Sequence, residues 1–116
     1  MKKMLLGLLV LSLASLAYAG PGYVMTGKKG IMRFVQMDED NATDLDTYRQ
    51  AIKDLCKPGV NCQVLFWTEN APVAFPFSHE QTRSKTAYWQ YHAKKGVEKL
   101  YVDCKLFDTI EDAECL

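Results

Sequence analysis

The sequence predicts a small α+β domain in β-α-β-α-β order, with a sheet of three to four strands, two helices, a short C-terminal helix and two disulfides. Three observations carry this. A helical period over residues 43–55 stops at the corner Cys56-Lys57-Pro58-Gly59-Val60-Asn61-Cys62. The densest apolar run of the chain beyond its N-terminus, Gln63-Val64-Leu65-Phe66-Trp67-Thr68, follows at once. Four cysteines, Cys56, Cys62, Cys104 and Cys115, all lie beyond an N-terminal leader pattern.

The leader pattern has three parts. Lys2 and Lys3 precede an apolar run, and Ala17-Tyr18-Ala19 places small residues at the two positions a signal peptidase reads. Cleavage is expected after Ala19, which makes residues 1–19 a signal peptide and leaves one domain of 116 − 19 = 97 residues. The run 4–19 is 16 residues, short of the ~20 that a membrane-spanning helix needs. The expected location is periplasmic or secreted, with no membrane attachment after cleavage. An oxidising compartment turns four cysteines into two disulfides. The nearest pairing in sequence, Cys56 with Cys62 and Cys104 with Cys115, is the expected one.

The whole chain has 14 basic and 14 acidic side chains. Without Lys2 and Lys3 the balance is 12 against 14, a formal charge of −2. That disfavours a nucleic-acid partner, which requires a basic field.

Taken in order, the segment 20–30 is rich in glycine, with Tyr23, Val24 and Met25 as a short edge strand and Lys28 and Lys29 at a solvated tip. Ile31, Met32, Phe34, Val35 and Met37 predict the first main strand, covered in part on both faces. Asp38-Glu39-Asp40-Asn41 leaves the sheet as a solvated loop; it lacks the glycine and late glutamate of a calcium loop. Thr43 is the expected helix cap, with Asp46 completing a near capping box. Leu45, Tyr48, Ile52 and Leu55 then fall on one face with Ala51, while Arg49, Gln50, Lys53 and Asp54 face water.

Pro58 and Gly59 end that helix. In the strand beyond, Val64 and Phe66 point one way and Leu65 and Trp67 the other. Large groups on both faces predict an interior strand, joined to the first by a βαβ crossover. The connection 69–77 holds Pro72 and Pro76, yet is apolar at Ala71, Val73, Ala74, Phe75 and Phe77. It is expected either to fold back on the core or to form a binding surface. Ser78 with Gln81 reads as a capping box for a second helix over 79–95, closed by Gly96. Its stripe would be broad and aromatic, with Tyr88 and Tyr91 on one side and Trp89 and His92 on another. A last strand over 97–107 would bury Leu100, Val102, Cys104 and Leu106. A short helix over 110–114 would then be pinned back through Cys115.

The residue types disfavour most chemistry. Cys56 sits at a helix end, where the dipole opposes a thiolate, and five residues separate it from Cys62. His79 and His92, thirteen residues apart, would lie about 20 Å apart along one helix and could not share a zinc ion. Ser78 beside His79 has a cap role, and no carboxylate pair sits in an evident apolar pocket. There is no phosphate-binding glycine loop. No catalytic residue, metal or other cofactor is therefore expected.

What remains is an aromatic excess: Trp67, Phe75, Phe77, Tyr88, Trp89 and Tyr91. Exposed aromatics supply binding energy at protein interfaces. The expected function is an exported module that binds another protein, as an inhibitor or accessory subunit without catalysis. The alternatives are a binding protein for a small molecule or peptide fragment, held by the loop 72–76, and a periplasmic enzyme.

Overall fold

A computed structural model of the chain describes residues 19–116. The expected signal peptide lies outside the described residues, apart from Ala19. No helix among the described residues is long and apolar enough to cross a membrane.

The described chain forms one mixed sheet whose strands lie side by side in chain order. These are β1 (Ala19–Gly20), β2 (Tyr23–Lys29), β3 (Met32–Met37), β4 (Cys62–Trp67), β5 (Ala87–His92), β6 (Val97–Val102) and β7 (Glu114–Cys115). The pairs β3–β4 and β6–β7 are parallel, and the rest are antiparallel. Helix α1 (Leu45–Leu55) makes the crossover between β3 and β4, and a one-turn helix α2 (His79–Arg83) lies between β4 and β5. The βαβ unit predicted around the cysteine corner is present. The sheet has seven strands where three to four were expected.

Helix α1 starts one residue later than expected. Asp44, not Thr43, is the cap: its carboxylate accepts from the Asp46 amide at 3.1 Å and from the Thr47 hydroxyl at 2.9 Å. An ionised carboxylate at this position satisfies an orphan amide and also meets the positive end of the helix. Tyr48, Ala51 and Ile52 are the buried positions, as the period requires. The helix closes with the Cys56 amide on the Ile52 carbonyl at 2.9 Å, and Gly59 turns the corner at φ 75°. Both predicted disulfides, Cys56–Cys62 and Cys104–Cys115, are formed.

The main core lies between α1 and one face of the sheet, where Val35, Met37, Val64, Phe66, Ala87, Trp89, Leu100 and Val102 meet Tyr48, Ala51 and Ile52. Tyr48 is fully buried. Its ring packs edge-on against Phe66 and Phe107, with centroids 4.8 and 5.6 Å apart. Its hydroxyl donates to the Ala42 carbonyl at 2.7 Å and lies 3.0 Å from the Thr86 hydroxyl. That hydroxyl is therefore satisfied, and burial pushes its pKa up to about 12. On the opposite face a smaller core joins Phe34, Leu65 and Trp67 to Ala71, Phe77 and Tyr88.

Three expectations from the second half of the chain are corrected. The second helix ends at Arg83, and residues 87–92 are strand β5. Here Ala87 and Trp89 are buried on the α1 side while Tyr88 reaches the smaller core on the other face. The segment satisfies alternation and the helical period equally; the unpaired edge of β4 decides for a strand, because buried amides and carbonyls need partners. Gly96, expected to end a helix, instead sits at φ 61° in the loop of the β5–β6 hairpin. The last strand stops at Val102. The Leu106 and Phe107 amides both bond the Asp103 carbonyl, which turns Phe107 into the core and leaves Leu106 exposed. Cys104 is likewise exposed. In place of a C-terminal helix, Glu114 and Cys115 pair alongside Tyr101 and Val102.

Two outcomes follow. Replacing Cys56 and Cys62 together by Ser lowers stability by about 2–3 kcal/mol on the loop-entropy argument, and Cys104 with Cys115 by a similar amount, both read by urea denaturation. For Tyr48 the folded-state pKa is raised above the unfolded value of 10.0. Its contribution is complete below pH 10 and is lost as pH rises toward 12, about 2–3 kcal/mol in all. Tyr48→Phe removes that alkaline slope and costs about 1–2 kcal/mol at neutral pH, because it leaves the Ala42 carbonyl without its donor.

Candidate functional site

The six aromatic residues singled out from the sequence do not form one surface. β4 and β5 send alternate side chains to opposite faces, which divides the set. Trp67, Phe77 and Tyr88 belong to the smaller core on the face away from α1, with Phe75 beside them; Trp89 and Tyr91 belong to the α1 face.

The face away from α1 is covered by the connection between β4 and β5. Trp67 is 0% exposed and acts as its floor. Phe77 meets Phe34 and Trp67 edge-on, each at 5.6 Å, and Phe75 leans on Phe77 at 5.6 Å. The loop is held at several points. The Thr26 hydroxyl donates to the Pro72 carbonyl at 2.7 Å, and the Ala71 amide donates to the Gln36 side chain at 3.2 Å. Val73 lies so close over β2 that a Cβ at Gly27 would overlap its carbonyl group. The peptide bond between Phe75 and Pro76 is cis.

Gln81 joins this loop to α2. The predicted capping box is formed: the Ser78 hydroxyl accepts from the Gln81 amide at 3.0 Å, and the Gln81 side-chain oxygen accepts from the Ser78 amide at 2.9 Å. The same side chain donates to the Asn70 carbonyl at 2.8 Å, and the Gln81 carbonyl accepts from the Trp67 indole at 2.7 Å. Asn70 itself holds φ 55° at the turn out of β4.

Anchored in this way, the loop both folds back on the core and remains a surface. Ala71 and Phe77 are half-buried, but Phe75 is 48% exposed and Val73 is 75% exposed. An apolar residue so exposed on a restrained loop is the unusual feature of this face. Tyr88 lies at its margin, stacked on Tyr101 at 6.0 Å, and burial, then the neighbouring Tyr101, raises its pKa. Burial lowers the pKa of Lys85, which lies just past α2.

On the α1 face an open apolar cleft of about 270 Å3 lies where α1 ends. Trp89, 7% exposed, lines it with Ile52 and Tyr91; the rings of Trp89 and Tyr91 are nearly parallel, 12° apart, with centroids separated by 6.4 Å. The Trp89 indole donates to the Glu98 carboxylate at 3.0 Å. The Cys56 corner closes one end, with Pro58 and Gly59. The cleft continues over Trp89 toward Arg49 in a second depression of about 210 Å3.

The two histidines lie far apart in the chain order of the fold. His79 opens α2 and His92 ends β5, so they stand on separate elements and not at the two ends of one helix. No group of three or more histidine, cysteine, aspartate or glutamate side chains able to hold a metal ion occurs among the described residues. Lys99 is paired with Glu114 at 2.7 Å, which raises its pKa.

Two parts of these surfaces were not singled out from the sequence. Val73 is part of the apolar connection noted in the sequence but stands outside the aromatic set, because its hydropathy suits a core as well as a surface. The cleft was missed because it joins residues far apart in sequence, such as Lys53 and Glu98; its only local sign is Lys53 near the end of α1 and Lys57 in the corner beyond it. Comparison with known proteins matches the chain to no family model, no curated protein and no solved structure.

Gly27→Ala forces Val73 off the sheet. The expected result is a loss of about 1–3 kcal/mol in urea denaturation, with faster proteolysis confined to residues 71–77.

Proposed function

We propose that this chain is a protein-binding module, an inhibitor or accessory subunit in an exported setting, whose contact surface is the loop 72–77. The observation that carries this is the pairing of exposure with restraint. Val73 and Phe75 present apolar side chains to solvent at 75% and 48% exposure. Their flanks are tied down by the Thr26, Gln36 and Gln81 hydrogen bonds. A loop ordered before contact loses little conformational entropy on binding, so more of the contact energy appears as affinity. Pro72 and Pro76 add to this by limiting the backbone on both sides of the tip. The leader pattern and the two disulfides support an oxidising, periplasmic or extracellular location.

The test is co-purification from the producing organism, comparing the unaltered protein with Val73→Asp and Phe75→Asp. Both substitutions lie outside the buried cores and are expected to leave the fold intact. Either one should weaken capture of the cognate partner by about 2 kcal/mol or more, roughly thirtyfold. A partner retained equally by both variants rules out the loop as the contact surface.

A further inference from the structure

We propose that the cleft between the end of α1 and the β5–β6 hairpin is a small-molecule site for a hydrophobic carboxylate. This site lies on the opposite face of the sheet from the loop 72–77 and does not depend on it. Three observations lead to it: the walls, the charge at the rim and the size.

The walls are apolar and held in place. Ile52 comes from the buried stripe of α1, and Trp89 and Tyr91 come from alternate positions of β5. The Cys56–Cys62 bond fixes the end of α1 against the start of β4, so the corner with Pro58 keeps its distance from β5. The Trp89 indole is held by Glu98. A preformed apolar hollow with few polar groups is the usual form of a small-ligand site.

The rim supplies the sign of the charge. Lys53 on α1 and Lys57 just beyond it both line the cleft, and neither forms an ion pair among the described residues. The one carboxylate at the cleft, Glu98, already accepts the Trp89 indole hydrogen. Arg49, farther along the groove, donates to the Glu111 carbonyl at 2.6 Å and holds the C-terminal segment. Two ammonium groups beside one carboxylate give the rim a net positive sign, which favours a bound anion over a bound cation.

The size supplies the rest. A volume of about 270 Å3 is at the lower edge of drug-sized pockets, which suits a ligand of one or two fused rings. The ring system would lie along Tyr91 and Ile52, with the carboxylate directed to Lys53 and Lys57.

Titration of the isotope-labelled protein with naphthoate, followed by backbone amide shifts, tests this. Naphthamide serves as the uncharged isostere and acetate as the anion without a ring. Saturable shifts are expected with naphthoate at Ile52, Cys56, Tyr91 and Glu98, weaker binding by about fivefold to tenfold with naphthamide, and none with acetate. The double substitution Lys53→Glu and Lys57→Glu should abolish the preference for naphthoate over naphthamide, with naphthoate affinity falling further than naphthamide affinity. Lys53→Gln alone should reduce that preference in part, and its unchanged sheet amide pattern guards against a folding artefact. Absence of saturable shifts at millimolar naphthoate, equal affinity for the carboxylate and the amide, or shifts centred on the loop 72–77 would each overturn the assignment.

Discussion

Strand β4 is apolar on both sides, and the rest of the molecule follows from that constraint. Val64 and Phe66 point to one face and Leu65 and Trp67 to the other, and all four are buried. Such a strand cannot sit at a wet surface of a sheet; each face requires its own cover. Its two edges must also be paired, and β3 and β5 supply those pairings, one parallel and one antiparallel. The Cys56–Cys62 bond ties the start of this strand to the helix that covers its first face.

The two covers differ in kind, and the two candidate surfaces arise from that difference. On one side an eleven-residue helix buries a regular stripe. The gap between the end of α1 and the β5–β6 hairpin is the cleft over Trp89 and Tyr91. On the other side the cover is a loop and a single helical turn. A loop has no repeating face to bury, so some of its apolar side chains, Ala71 and Phe77, turn inward and others, Val73 and Phe75, turn outward. Its backbone polar groups are met by side chains in place of a ladder: the Gln81 side chain accepts from the Ser78 amide and donates to the Asn70 carbonyl, and the Gln81 carbonyl accepts from the Trp67 indole.

Helix α1 and the corner after it were legible because each of their signals is local and has one reading, whereas the expected short edge strand at Tyr23–Met25 is a strand over Tyr23–Lys29 paired on both sides. The spacing of Tyr48, Ala51 and Ile52 admits a helix and no strand, and Pro58 with Gly59 admits only a stop. The Ser78–Gln81 capping box was legible for the same reason, since its partners are three residues apart. Residues 87–92 were not. Ala87, Trp89 and Tyr91 alternate with Tyr88, Gln90 and His92, and the same letters also form an aromatic helical side. A helix start at Ser78 carries no information on length, and Gly96 ends a helix or turns a hairpin equally well. Leu106 and Phe107 were similarly open, because a turn at Asp103 reverses which of two adjacent apolar residues faces inward.

By itself, the sequence determined the helix α1, the corner after it and the two-sided strand β4. These depend on periodicity and turn chemistry, which act over a few residues; the pairing of the four cysteines was one of three until the fold brought Cys56 to Cys62 and Cys104 to Cys115. Only the tertiary structure decided that residues 87–92 extend the sheet, that the aromatic set divides between two faces, and that Lys53 and Glu98 border one cleft. Those outcomes rest on pairing and packing between distant segments, where the free edge of one strand or the uncovered face of another overrides an evenly balanced local preference.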